Sequence, residues 1–325
     1  MPSRPVLPAV LALCAALAVA APAWAEKGRH NTGHPANPAP APAANPVPPA
    51  PAALPALPAH PAVPVVRQPA AQLELRELAA IVVVTPERRD DIAISIYNPG
   101  PLPAPQMRVA GRRLIVDGGL GRHIDECRNT NGAFSVNVHG RWIGQGGLPV
   151  LEVHTPLDVS LASNGAVRMH VTTAQSAHID VAGCGLVEIE RVVGNAEVSV
   201  AGGDMALHLF DAGSASVRVA GAGDVDIGAV RSGFELSLAG AGDVNVARAD
   251  GPTNIAIQGS GDVLIRDGRA TTLSVAIAGS GDVTHRGEAE RLDAAIIGSG
   301  DVNVRRVSGE VTRRVFGSGD VNVGQ

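Results

Sequence analysis

Aspartate recurs at a fixed interval through the C-terminal part of the chain, each time inside a glycine-rich phrase. The phrases are AGGDM, GAGDV twice and GSGDV four times, and their aspartates are 19 or 20 residues apart. Carboxylates repeated in this way suit two roles, ligation of a hard cation such as calcium or hydrogen bonding to turn amides. The aspartates are Asp204, Asp224, Asp243, Asp262, Asp282, Asp301 and Asp320.

A stack of identical phrases places these carboxylates close together. At a strand spacing of about 4.8 Å, neighbouring charges repel each other by roughly 1 kcal/mol per pair in water. Solvent, backbone amides or cations can relieve this repulsion. Because each phrase offers one carboxylate and calcium takes several oxygen ligands, we expect solvated, amide-bonded turn aspartates and no cofactor. Weak calcium binding is the alternative, and its candidate ligands are Asp224, Asp243, Asp262, Asp282, Asp301 and Asp320.

The glycines of the phrase predict a corner of the chain. Glycine reaches positive φ without a Cβ clash, and stacked corners leave room only for small residues between the glycines. No phrase opens a helix, so a phosphate cradle would lack its helix dipole. The predicted structural glycines are Gly259, Gly261, Gly279, Gly281, Gly298, Gly300, Gly317 and Gly319.

Apolar and polar residues alternate on both sides of each aspartate. Ile296, Val302 and Val304 around Asp301 have aliphatic counterparts in nearly every repeat, and the residues between them are polar or small. Alternation with a period of 19–20 residues predicts an all-β, parallel β-solenoid (β-helix-like) with about 19–20 residues per coil.

Three residues interrupt the inward and outward pattern near the end of the chain. His285 takes an inward position, where an interior or corner histidine with satisfied hydrogen bonds is favoured over a catalytic one. Arg313 at an inward position and Phe316 at an outward one are interpreted as end effects of the last coil.

Composition divides the chain into four segments. Residues 1–25 combine Arg4, an apolar run and Ala23-Trp24-Ala25, the pattern of a signal peptide. Residues 26–70 predict a disordered Pro/Ala-rich linker, since 13 prolines fall between positions 35 and 69. Residues 71–150 predict a less regular β region, and residues 151–325 the solenoid repeats.

The mature chain keeps two cysteines, Cys127 and Cys184. An even count in an exported protein favours a disulfide between them. The alternative is a metal site, because His123, Asp125 and Glu126 lie near Cys127, but no paired ligand motif supports it.

Charge and motifs exclude several functional classes. The net charge of −5 argues against nucleic acid as a partner. No stretch after the signal peptide is long and apolar enough to span a bilayer. No nucleophile elbow, zinc-protease motif, P-loop or dinucleotide fingerprint is present, and a periodic ladder of acids indicates structure rather than catalysis. We therefore predict no enzyme, no catalytic residues and no bound cofactor.

Three stretches carry a family resemblance. They are the GSGDV series, LPVLEVHTPLDVSLASNGAV at 148–167 and VAGCGLVEI at 181–189. Over roughly residues 76–325 the sequence resembles the bacterial family of the putative auto-transporter adhesin, head GIN-type domain. The resemblance implies an exported, solenoid-like β domain with an adhesive or envelope role, and it brings no catalytic residues.

The sequence therefore predicts a non-enzymatic, adhesin-like or structural protein of the periplasm or cell surface. It would present a repetitive face to an envelope or surface macromolecule, with polysaccharide as one candidate. Self-association is a further candidate, because the strand VNV at 321–323 leaves an open edge. The alternatives are a polysaccharide-active β-helix enzyme and an envelope-stress scaffold or sensor.

Overall fold

Inward Val, Ile and Leu residues spaced 19 or 20 apart fold into a stack of parallel coils. The computed structural model describes residues 65–130 and 133–324, without the side chain of Asp204. The proposed signal peptide and most of the proposed linker lie outside the described residues. The chain is a parallel β-solenoid, as the repeat period predicts.

The first coils are less regular than the later ones. The first described strand, β1, pairs antiparallel with β3, while β2 pairs parallel with β5, β9 and β10. β1 and the buried Ala70 lie within the segment 26–70, so the last residues of that segment belong to the folded stack. The strands are β1 (Val66–Gln68), β2 (Gln72–Glu87), β3 (Ile92–Tyr97), β4 (Gln106–Ala110), β5 (Arg113–Asp117) and β9 (Val150–Pro156).

A small antiparallel sheet is inserted between β5 and β9. It is formed by β6 (Ile124–Thr130), β7 (Ala133–Val138) and β8 (Arg141–Gly144), which pair in chain order. Short 3-10 helices, Gly121–His123 and Gln145–Gly147, flank it. We call this insertion, residues 121–147, the cap sheet.

The later coils each contain two main strands separated by corners. β10 (Asp158–Ala174) and β11 (Ser176–Gly221) turn their corners without a break and contribute to both walls of the stack. After them, strands alternate between two parallel walls. Sheet 1 holds β13 (Phe234–Gly240), β15 (Gly251–Gly259), β17 (Arg269–Gly279), β19 (Leu292–Gly298) and β21 (Val311–Gly317). Sheet 2 holds β12 (Asp224–Val230), β14 (Val244–Ala249), β16 (Val263–Ile265), β18 (Val283–Ala289), β20 (Val302–Val307) and β22 (Val321–Val323).

The register keeps equivalent residues of successive coils beside each other. In sheet 1, Leu238, Ile257, Ile277 and Ile296 form one inward column. All four are at most 2% exposed, and burying each such side chain contributes roughly 1.5–3 kcal/mol. Sheet 2 supplies the matching inward column Val225, Val244, Val263, Val283, Val302 and Val321.

One part of the predicted alignment is wrong. Asp224 pairs with Ala206, so Asp204 does not occupy the position equivalent to the later aspartates. Gly221 lies against Gly202 and Gly223 against Met205, which shows that the earlier corner contains one more residue. The aspartate column therefore begins at Asp224.

The last strands of the described chain differ from those before them. Arg313 pairs with the buried Ala294 but is exposed, and Phe316 is 72% exposed beside Ile297. Within the described residues no later strand pairs with β21, so its inward side chains have no neighbour on that side. No helix within residues 65–130 and 133–324 has the length and apolar character needed to cross a membrane.

Candidate functional site

The corner between sheet 1 and sheet 2 requires glycine at two positions. Gly298 has φ +134°, and a Cβ there would lie 2.0 Å from the carbonyl oxygen of Gly279. A Cβ on Gly300 would lie 2.1 Å from the carbonyl oxygen of Gly281. The first glycine is needed for its backbone conformation and the second for the close approach of the coils. The structure places the other six named glycines at the same two positions of their coils: Gly259, Gly261, Gly279, Gly281, Gly317 and Gly319.

The six aspartates after these corners form a hydrogen-bonded column that links the coils. The backbone N–H of Asp301 donates to Oδ1 of Asp282 at 2.7 Å, and that of Asp320 donates to Oδ1 of Asp301 at 2.8 Å. The sequence led us to expect amides of the same turn, whereas the donor belongs to the next coil. The remaining bonds are Asp243 to Asp224 at 3.4 Å, Asp262 to Asp243 at 3.3 Å and Asp282 to Asp262 at 2.8 Å.

These five bonds use Oδ1 of the first five carboxylates and leave Oδ2 of each available to solvent or a ligand. All six aspartates are exposed or half-buried. Among the described residues, no group of three or more His, Cys, Asp or Glu is placed to hold a metal ion. What the column offers chemically is a row of hydrogen-bond acceptors with a negative charge on every coil.

Two further outward columns run beside the aspartates on sheet 2. Two residues after the last three aspartates, Thr284, Asn303 and Asn322 lie in register, and Asn322 Nδ2 donates to Asn303 Oδ1 at 3.1 Å. Four residues after three of the aspartates stand Arg266, Arg286 and Arg305. The sequence analysis identified the amides as outward residues but missed the arginines. The sequence pattern that could have revealed these arginines is their constant spacing of four residues after Asp262, Asp282 and Asp301.

These two columns line one open depression of about 490 Å³ on sheet 2. Arg286 and Arg305 are exposed, and Arg266 is half-buried. Arginine offers up to five N–H donors in a planar fork that matches a carboxylate, and asparagine offers both a donor and an acceptor. We call the aspartate, amide and arginine columns together the ladder face.

The cap sheet covers the equivalent corner of the first coils. Phe134, Val136 and Val138 of the cap sheet form one buried cluster with Ala79 of β2 and Ala166 of β10. The predicted disulfide is confirmed: Cys127 of β6 is bonded to Cys184 of β11, with the two Cα atoms 6.0 Å apart. Both thiols are consumed in that bond, so Cys127 does not take part in the alternative metal site.

A buried ion pair accompanies this covered region. Arg168 Nη2 lies 3.5 Å from Glu188 Oε2, and their side chains are 1% and 3% exposed. Arg168 follows the corner residue Gly165 by three positions, as Asp301 follows Gly298. The same position of the coil therefore carries a buried cation near one end of the stack and exposed carboxylates further along.

His285 lies inside the stack, as its position in the repeat predicts. It is fully buried between Ile265 and Val304 in register. Burial lowers the pKa of the imidazole, while the Gly287 backbone and the charge of Asp267 oppose this more weakly. Neither ring nitrogen reaches good hydrogen-bond geometry with another protein atom of the described chain, so the expected satisfied state is not observed.

Several solved structures are similar to this chain over most of its length. A protein described as a putative adhesin from Parabacteroides distasonis shares 16% identity with a TM-score of 0.43, covering 81% of this chain and 97% of its own. A putative adhesin from Bacteroides fragilis shares 15% identity with a TM-score of 0.38, covering 81% and 97%. A putative lipid binding protein from Parabacteroides distasonis shares 16% identity with a TM-score of 0.38, covering 81% and 96%.

The curated proteins contain no match to this chain. The family comparison matches residues 230–325, which hold the last coils and most of the ladder face. The resemblance predicted from the GSGDV series is thereby confirmed for this stretch, which matches the family of the putative auto-transporter adhesin, head GIN domain.

Proposed function

We propose that this chain is a non-enzymatic, exported, adhesin-like β-solenoid that binds an envelope or surface macromolecule through its ladder face. The observation that carries the proposal is an outward set of groups, Asp, then Asn or Thr, then Arg, that two neighbouring coils share at 282–286 and 301–305, beside an aspartate that recurs on six coils. A partner with its own repeat can make the same contact on both coils. Weak contacts then add up to firm binding through a high effective concentration.

Export is supported by two independent features. Residues 1–25 have the composition of a signal peptide, and the disulfide between Cys127 and Cys184 is typical of an oxidising compartment. The Pro/Ala-rich stretch before β1 would then act as a spacer between the exported domain and whatever holds its N-terminal side. The name of the matched family agrees with a role outside the cytoplasm.

A binding role is favoured over catalysis by the equivalence of the acids. Asp243, Asp262 and Asp282 make the same backbone hydrogen bond in successive coils, so no one of them is distinguished as an acid or a base. A glycosidase needs two carboxyl groups with different environments at one bond. The aspartates of the ladder face have one environment, repeated.

The test is sedimentation of the purified chain with isolated bacterial envelopes. We expect saturable binding, without release of reducing ends or unsaturated sugars from the envelope glycans. Envelopes treated with periodate, which cleaves sugar diols, and envelopes treated with protease identify the class of the partner. Absence of saturable binding would contradict the proposal, and glycan turnover abolished by Asp262→Asn would favour the enzyme instead.

A further inference from the structure

Arg286 and Arg305 of the arginine column are two exposed arginines whose charges are not neutralised by a carboxylate of the described coils. Most exposed arginines of the stack have a carboxylate partner: Arg218 contacts Glu197 at 2.7 Å, and Arg314 contacts Asp293 at 2.8 Å. Arg286 and Arg305 make no ion pair with any described residue. Two unpaired guanidinium groups on adjacent coils repel each other unless an anion lies between or above them.

The aspartates of the same face do not supply that anion. Along a strand, residues four apart are separated by about 13 Å, which is too far for Asp301 to reach Arg305. The intervening Asn303 has an outward amide. Along this strand the face therefore offers the guanidinium of Arg305, the neutral amide of Asn303 and the carboxylate of Asp301, in that order.

From this order of groups, we propose that the ladder face binds a linear acidic polysaccharide running along the stack. Its carboxylate groups lie on Arg286 and Arg305, and its hydroxyl groups contact the amides of Asn303 and Asn322. Hydroxyl groups also donate to the second oxygen of aspartates such as Asp301, because the backbone bonds use only Oδ1. The proposal rests on the proposed function and names its partner.

A glycan fits this face better than a nucleic acid does. No Phe, Tyr or Trp lines the depression and the ring of His285 is fully buried, so bases would have no exposed ring on which to stack. A polysaccharide that combines carboxylates with many hydroxyls complements both the cationic and the acceptor columns, and repeated coils match repeated sugars.

The experiment measures binding of the full chain to immobilised polygalacturonate, with neutral dextran as the control surface. The test variant is R286Q/R305Q. The matched control is R269Q/R291Q, which removes the same charge from two exposed arginines that face Glu290 and Glu310 on the same stack. Circular dichroism and melting temperature check that both variants are folded.

We expect the wild-type chain to bind polygalacturonate and not dextran, with affinity that falls as salt is added. R286Q/R305Q should lose at least about tenfold in affinity, since two charge-assisted contacts are removed, while R269Q/R291Q stays within about twofold. Equal losses in the two variants, binding to dextran, or stronger competition by single-stranded DNA than by polygalacturonate would each overturn the proposal. So would an absence of binding by the wild-type chain.

The same variants separate this proposal from the general adhesin-like function. If wild type and R286Q/R305Q sediment equally with envelopes, the arginine column is not the contact surface, although the adhesin-like function stands. If neither protein sediments with envelopes, the general function fails as well. Loss of envelope binding in R286Q/R305Q alone supports both.

Discussion

The corner after sheet 1 looks different at the two ends of the stack. In the first coils it is covered by the cap sheet, fastened by a disulfide, and next to it lies the buried pair of Arg168 and Glu188. In the later coils the same side is bare and carries the ladder face. Corner glycines in the left-handed region, such as Gly183 and Gly298, occur in both regions. The backbone repeat is thus specified separately from the chemistry of the surface it supports.

The largest effect should come from releasing the cap sheet. In a C127A/C184A variant, the chain-entropy model gives a loss of about 4 kcal/mol for a loop closed over 57 residues. Hydrogen exchange should show the loss of protection in β6–β8, while amides of β18 and β20 keep theirs. Equal loss throughout the stack would show that the cap sheet supports all coils rather than the first ones.

The second prediction compares one residue type in the two regions. Arg168→Met leaves Glu188 buried without its partner and should cost about 3 kcal/mol or more of unfolding free energy. Arg286→Met on the bare side should change it by no more than about 0.5 kcal/mol. Chemical denaturation of both variants gives the comparison, and similar costs would contradict the assignment of Arg286 to binding rather than stability.

A third test asks whether the corner requires glycine as strictly in the first coils as in the later ones. Gly183→Ala and Gly298→Ala each place a Cβ about 2.0 Å from a carbonyl oxygen of the preceding coil, at positive φ. The unfolding free energy of each variant should fall by about 2–3 kcal/mol, because the added Cβ is crowded and the backbone is strained. Ser299→Ala in the same corner is the control and should be close to neutral in thermal melting. A much milder effect at Gly183 would show that the cap sheet relaxes the corner beneath it.

The smallest expected effect concerns how the unfolding free energy depends on pH through His285 in the later coils. The pKa of His285 is lowered in the folded chain. Neutral His285 therefore makes its full contribution to the unfolding free energy above the pKa of the unfolded chain, near 6.5, and that contribution is lost as the pH falls below this value. The slope from this one group is at most about 1.4 kcal/mol per pH unit.

His285→Val should therefore flatten the decline in unfolding free energy between about pH 6.5 and the acid side. If this variant behaves as wild type does, protonation of His285 does not limit stability.

Much of the stack follows from local rules that a sequence exposes. Alternation around Asp301 specifies which side chains enter the core, and the fixed period specifies that equivalent coils lie beside each other. The disulfide followed from the number of cysteines and the expected compartment. These features repeat or are counted, so one sequence is enough to find them.

Other features depend on contacts that no local pattern encodes. Nothing in residues 121–147 states which coil they cover, because that depends on packing of Phe134 against distant alanines. The additional residue between Gly202 and Met205 was hidden because the two phrases align well on aspartate alone. The arginine column was missed because an alignment centred on Asp gives no reason to inspect a residue four positions later.

The hydrogen bond from each aspartate amide to the preceding carboxylate also has a direction. Oδ1 of Asp282 accepts its hydrogen bond from the backbone N–H of Asp301, so the corner of each coil depends on the coil that follows it. The bonds of this column therefore run in one direction along the chain, and each coil after Asp224 both extends the stack and satisfies a carboxylate of the coil before it.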